Sequence, residues 1–195
     1  MRTSIPLAAL LAFGLAACTT TGDGRGGTEV TRYHLGQPIA QGAITVEPAS
    51  ARPVSPEYEV YAGAVAGELT RLGFTPGAGT TSQYVATVGF ERSLRGQVRT
   101  PPKFSIGLGG GSFGRGGGVG GGLSTGFGSK TRDVIGSDLF VQLRRRSDGT
   151  VVWEGRAQRT GLSGRGEQPV LTAQRLAAAL FKGFPGESGI TITVP

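Results

Sequence analysis

The apolar positions of this chain fall into two repeating patterns. One is helical. Tyr58, Tyr61, Val65, Leu69 and Leu72 recur at spacings of three and four, which places them on one helix face. Ser55 is suited to cap that helix, Pro56 to open it, and Glu57 and Glu59 to sit in its first turn, where the helix dipole favours negative charge. Gly73 predicts its end, with Phe74 folding back onto it. A second helix is predicted over 169–182, from Pro169 to the Gly183-Phe184 ending, with Ala173, Leu176, Ala177, Leu180 and Phe181 as its apolar face. The other pattern alternates. Tyr84, Ala86, Val88 and Phe90 share one face of a strand, and 138–143 and 150–158 predict two more strands joined through the turn residues Ser147-Asp148-Gly149. In the last of these, Val151, Trp153, Gly155 and Ala157 face one way and Glu154, Arg156 and Gln158 the other. Short strands at 30–35, 43–47 and 190–194 complete the set. The expected fold is α+β: a mainly antiparallel sheet with two helices packed on one face, plus a Gly-rich loop insertion.

The first apolar run has a different character. Arg2 is followed by an uncharged stretch over 5–17, ending Leu15-Ala16-Ala17-Cys18. A helix needs about 20 apolar residues to span a bilayer, so this stretch reads as the core of a secretory signal. The tetrad resembles the lipobox of bacterial lipoproteins, and Cys18 is the chain's only cysteine. That resemblance implies cleavage before Cys18, diacylation of its thiol and membrane attachment through the lipid. Thr19, in place of the aspartate that retains such proteins in the inner membrane, implies the outer membrane, with the domain facing the periplasm. The expected organisation is a signal peptide over 1–17, the lipidated Cys18 with a flexible tether over 18–29, and one domain over 30–195.

Composition narrows the chemistry. The sequence of 195 residues has one Cys and one His, which excludes a disulfide framework, a Cys-rich zinc site and a paired-histidine metal motif. Of its 36 Gly, 13 lie in the insertion at 107–128. Matches to GxGxxG there, such as Gly109-x-Gly111-x-x-Gly114, lack the strand before and the helix after that a nucleotide site requires. Gly110, Gly114, Gly118, Gly122 and Gly126 also recur every four residues, a spacing suited to close helix packing, but each Gly costs about 1 kcal/mol in a helix relative to Ala. A loop between strands is the favoured reading.

Charge is unevenly placed. The net charge is +7; residues 19–90 carry 4 basic and 6 acidic side chains, and residues 91–195 carry 15 and 7. Arg92, Arg144, Arg145, Arg146 and Arg156 are the candidate contacts for an anionic partner, because the guanidinium fork matches phosphate and carboxylate. A solvated outer sheet face explains the same residues without a partner. His34 has no nucleophile or acid motif beside it, and no catalytic constellation is visible. No catalytic residue, metal or cofactor is expected. The expected partners are the membrane, through the anchor, and an envelope protein or anionic envelope polymer; nucleic acid is not expected.

Taken together, these features resemble the bacterial lipoprotein family catalogued as domain of unknown function 4136. The residues that carry the resemblance are the lipobox, Leu72-Gly73-Phe74, the strand Tyr84 to Phe90, the Gly-rich stretch, Val152-Trp153-Glu154-Gly155 and the C-terminal helix ending Phe181-Lys182-Gly183-Phe184-Pro185. The family implies no activity and no site residues.

Overall fold

The computed structural model describes residues 26–50, 54–100, 104–107, 124–127, 130–164 and 167–195. The expected signal peptide, Cys18 and most of the expected tether lie outside the described residues.

Among the described residues, nine strands and two α-helices follow in chain order: β1 Thr28–His34, β2 Ala43–Pro48, α1 Pro56–Arg71, β3 Thr75–Pro76, β4 Tyr84–Thr100, β5 Phe104–Gly107, β6 Ser124–Phe127, β7 Lys130–Arg145, β8 Val151–Leu162, α2 Pro169–Phe181 and β9 Thr191–Val194. Seven strands form one sheet in the order β3-β2-β4-β7-β8-β1-β9, and β5 pairs with β6 separately. The β4–β7, β7–β8, β8–β1 and β1–β9 pairings are antiparallel. β2, however, runs parallel to both of its neighbours, β3 and β4. The sheet is therefore mixed, not the mainly antiparallel sheet expected. The physical reason is the connection: α1 carries the chain from β2 back over the sheet, so β4 starts at the same end as β2.

The helices end where their sequences dictate. The Ser55 side chain accepts the Tyr58 amide at 3.1 Å. At the other end the Gly73 amide bonds the Thr70 carbonyl and the Phe74 amide the Leu69 carbonyl, the pair of bonds that defines a Schellman ending. Gly73 adopts φ +92°, a conformation open to glycine. Gly183 ends α2 in the same left-handed region, at φ +69°. The two Gly-Phe endings meet: Phe74 and Phe184 lie edge to face at 6.2 Å.

One core results. Tyr61, Val65 and Leu69 of α1 and Leu176, Leu180 and Phe181 of α2 pack on Ala86, Val88, Leu139, Val141, Leu143, Trp153 and Ala157. These strand residues stand in register across β4, β7 and β8, so both helices cover the same sheet face. Trp153 stacks on Phe181 at 5.3 Å and donates its indole N–H to the Pro185 carbonyl at 3.0 Å. Gly155 leaves the room for this: a Cβ there would lie 2.6 Å from the Trp153 ring and 2.8 Å from Leu180.

Two strands run well past their predicted bounds. β4 and β7 stay paired from Tyr84↔Arg145 to Thr100↔Lys130, with a bulge at Arg95 between Leu94 and Gly96. Of the Gly-rich segment, Gly107 and Ser124–Phe127 belong to the β5–β6 pair. Residues 108–123 and 128 lie outside the described residues.

Candidate functional site

The predicted arginines do not form one surface. Arg92 lies on the helix-facing side of β4, in step with Phe90, Val88 and Ala86. Its guanidinium bonds the Glu57 carboxylate at 3.1 Å and the Glu167 carbonyl at 3.3 Å, which ties the first turn of α1 to the start of α2. Arg156 lies on the open face of β8. It makes two bonds to Asp138 Oδ1, at 3.2 and 2.7 Å, while Arg95 approaches Asp138 Oδ2 at 3.5 Å. Asp138 is thus a largely buried carboxylate held between two guanidiniums.

Arg144, Arg145 and Arg146 lie at the opposite end of the sheet, around the β7–β8 turn. Arg145 pairs with Asp148 at 2.8 Å. Arg146 bonds Glu47, Thr45 and Ser82, so it clamps β2 to the chain segment before β4. Arg144 is exposed and has no ion pair among the described residues. Arg145 and Arg146 border a shallow depression of about 400 Å³ with Ser82 and Gln83. In the turn itself, Asp148 accepts the Thr150 amide at 3.0 Å, and this bond, with the Arg145 contact, holds its carboxyl below the usual aspartate range.

The residues that sequence reasoning missed are the buried ones. Arg32 of β1 is 3% exposed and has no ion pair among the described residues. Its guanidinium instead donates to the carbonyls of Leu180 at 2.8 Å, Ala179 at 2.9 Å and Lys182 at 3.0 Å. These carbonyls belong to the C-terminal turn of α2, where the helix dipole favours a cation; that of Ala179 also accepts the Lys182 amide at 3.4 Å. Burial lowers the Arg32 pKa from its ordinary value. Gly186 closes over the guanidinium, with φ +83° and no room for a Cβ beside Arg32 Nη1.

A second buried group sits at the other end of the helices. Arg159 and Glu167 pair at 3.2 Å with 8% and 6% of their side chains exposed. Thr172 donates to the other Glu167 oxygen at 3.4 Å. Arg92, Ser137 and Arg159 stand in one row across β4, β7 and β8. Tyr61 stacks on Phe90 at 4.4 Å, next to this row. Burial pushes its phenol up to about 12; Arg92 opposes the shift, and Glu57 and Glu167 add to it. The row is a polar bracket that fixes both helix N-termini to the sheet.

His34 also has a structural place. Its Nε2 lies 3.1 Å from the Gly186 carbonyl, and its Nδ1 accepts the Gly36 amide at 3.1 Å. Among the described residues, no group of three or more His, Cys, Asp and Glu side chains could hold a metal ion, and no helix is long and apolar enough to cross a membrane. A cleft of about 660 Å³ lies between α2 and the β1–β9 edge, and Arg159, Arg175 and Lys182 line it. A second, of about 610 Å³, lies on the open face beside Arg95 and Asp138. None of the five predicted arginines lines either cleft.

Comparison with known proteins places the chain. An uncharacterized protein of Zymomonas mobilis is 32% identical over 209 aligned positions, covering 84% of this chain and 78% of that protein. Among solved structures, the PelC dodecamer from Paraburkholderia phytofirmans aligns at 16% identity and a TM-score of 0.43, over 79% of this chain and 94% of that one. A PDZ domain protein from Parabacteroides distasonis aligns at 10% identity and a TM-score of 0.49, over 86% of this chain and 39% of that one. Neither structural likeness bears on function. The model of the family described as domain of unknown function, DUF4136, matches residues 43–186, which hold both helices and most of the sheet, and the chain belongs to that family.

Proposed function

We propose that this chain is a non-enzymatic lipoprotein, anchored to the periplasmic face of the outer membrane through Cys18, that binds or supports another component of the cell envelope. The observation that carries the reading is the N-terminal sequence. A basic start, an apolar run too short to span a bilayer and Leu15-Ala16-Ala17 coincide directly before the chain's only cysteine. Two or more acyl chains on one residue give stable membrane attachment. The fold is compatible with such an anchor: β1 begins at Thr28, within reach of Cys18, and lies inside the sheet between β8 and β9. The Gly-rich insertion, residues 107–128, contributes Gly107 and Ser124–Phe127 to the β5–β6 pair, and the reading as a loop is kept for the stretch between them.

The non-enzymatic part of the reading draws on how the reactive side chains are used. His34, Arg32, Arg92, Arg159 and Glu167 all hold backbone segments together. The other reading, a ligand module for an anionic small molecule, lipid head group or cell-wall fragment on an Arg-rich sheet face, needs the predicted arginines on one surface. Arg92 faces the helices, and Arg145, Arg146 and Arg156 already hold carboxylates. That arrangement favours the first reading.

The test is lipid incorporation and fractionation in cells. The wild-type chain should take up an alkynyl fatty acid and sediment with outer-membrane markers, and Cys18→Ser should take up none. Equal labelling of the two would sink the anchor. Cross-linking in cells followed by mass spectrometry of co-purified proteins should then recover envelope components; recovery of none would leave the supporting role without basis.

A further inference from the structure

The strand register gathers three features at one end of the sheet. β1 starts there, with Thr28 opposite Val194 of β9 and the next residue, Glu29, opposite Gln158 of β8. Asp138 of β7 and Glu91 of β4 continue that row. Gly26, the first described residue, runs beside the Thr160 carbonyl at the same end. The chain from Cys18 therefore enters the domain here.

β4 and β7 leave the domain here. β8 reaches no further than Leu162, opposite Val134, and Val134 faces Gly96. Ser163 still holds Asp133, donating its amide to the Asp133 carbonyl at 2.7 Å and accepting the Asp133 amide on its hydroxyl at 3.1 Å; beyond that row β4 and β7 continue alone through Val98↔Arg132, Arg99↔Thr131 and Thr100↔Lys130. Three further pairs at about 3.4 Å each make an arm that projects roughly 10 Å past the sheet. The bulge at Arg95 shifts the register by one, so alternation puts Val98 and Arg132 on one face of the arm and Arg99 on the other.

The arm's surface is basic with apolar side chains. Arg99, Lys130 and Arg132 are exposed, and none has an ion pair among the described residues. Asp133 is occupied by Gln97, which donates to it at 2.8 Å. Val98 is 47% exposed and Leu94, at the arm's base, 63%. A two-stranded ribbon cannot bury such side chains against itself. Cationic groups interleaved with apolar ones suit a lipid–water boundary, where the charges meet head groups and the apolar side chains pass beneath them.

Chain length sets the distance. Eight residue steps separate Cys18 from Gly26, so a lipidated Cys18 holds Gly26 within about 27 Å of the membrane surface. The arm covers more than a third of that largest gap. We infer that the β4–β7 arm is a membrane-apposed element, which lays the face carrying Val98, Lys130 and Arg132 on the anionic head groups of the leaflet that holds Cys18, with Arg99 on the face behind. The inference rests on the lipid-anchor reading. Each basic residue close to an anionic leaflet strengthens association about five-fold, so Lys130 and Arg132 on the apposed face together contribute roughly 25-fold.

The test uses the purified, lipidated full-length protein carrying Val98→Cys. Its only other cysteine, Cys18, is acylated, so one thiol is open to an environment-sensitive fluorophore. In phosphatidylglycerol–phosphatidylethanolamine vesicles the emission should shift to the blue. The shift should be reversed by high salt and lost in the added triple variant Arg99→Ser, Lys130→Ser, Arg132→Ser, while flotation with the vesicles stays complete. Full flotation with the same emission in phosphatidylglycerol and phosphatidylcholine vesicles would overturn the arm's role and leave the anchor standing. A blue shift that grows with protein concentration in detergent alone would make a second copy the arm's partner and would also overturn it. Protein that fails to float and takes up two labels would refute the anchor, and the arm's membrane role would fall with it.

Discussion

Replacing Arg32 sets two large effects against each other, and the geometry says which wins. Truncation removes three charge-assisted bonds to the Leu180, Ala179 and Lys182 carbonyls, each of the kind that contributes about 1.5–3 kcal/mol. It also relieves the cost of burying a cation that has no ion pair among the described residues, which is several kcal/mol. If burial cost dominated, Arg32→Met would be neutral or stabilising, because methionine keeps the apolar stem and drops the charge. The three bonds are short and end on the carbonyl pole of α2, so the guanidinium's lost hydration is largely replaced. Bonding should dominate by about 3 kcal/mol. Arg32→Lys should recover less than half of that, since an ammonium cannot span three carbonyls with a planar fork. Trp153, the only tryptophan and fully buried beside Phe181, reports unfolding by its fluorescence in urea. For a chain of this size the loss corresponds to a fall in Tm of roughly 6–12 °C. An Arg32→Met protein within about 1 kcal/mol of wild type would refute the reasoning, and would mean that this arginine is tolerated in the core and contributes no net stability there.

Three further outcomes are expected. Glu167→Gln leaves Arg159 buried without its anion and should cost about 3–5 kcal/mol; Arg159→Met with Glu167→Leu should recover most of it, and strictly additive losses in a double-mutant cycle by urea unfolding would contradict a coupled pair. Tyr61 stays protonated in the fold up to about pH 12, whereas an unfolded tyrosine ionises near 10, so its contribution is intact below pH 10 and is lost as pH rises from there to 12. The shift is worth roughly 2–3 kcal/mol. Tyr61→Phe should flatten that alkaline slope in urea titrations, and an unchanged slope would assign it to other groups. Gly155→Ala should cost about 1–3 kcal/mol by forcing Trp153 and Leu180 apart, with a red shift of the Trp153 emission; wild-type stability with unchanged emission would show that the contact relaxes freely.

What could be read from the sequence was whatever is encoded within a few residues. α1 was legible to both ends because its cap, acidic first turn and Gly73-Phe74 ending act on their immediate neighbours. The apolar face of α2 and the turn at Ser147-Asp148-Gly149 were legible for the same reason. The parallel placement of β2 was not, because alternation is identical whichever way the neighbouring strand runs; only α1 crossing back over the sheet decides it. The arm of β4 and β7 was not either. Period-two patterning marks a strand only where one face is dry, and Gln97, Arg99, Lys130 and Thr131 are exposed and polar.

Arg32 stands between these cases and explains why the candidate site was only partly foreseen. Strand parity puts it on the same face as Val30, which is buried, so alternation alone points its side chain inward. What parity cannot supply is the reason a charge is tolerated there: the α2 carbonyls that receive it lie about 150 positions further along the chain. The exposed-looking arginine clusters drew attention because they are dense in sequence. Yet Arg145 and Arg146 sit on a turn, and neighbours in a turn point to different partners. Density along the chain is a poor guide to density in space in a sheet protein. Arg92, Arg159 and Ser137 form a contiguous row although they come from three strands, because antiparallel register aligns them. A functional surface on this fold is therefore to be sought in rows across the strands, which is where the projecting end of β4 and β7 brings Val98 together with Arg132, and Lys130 beside them on the same face.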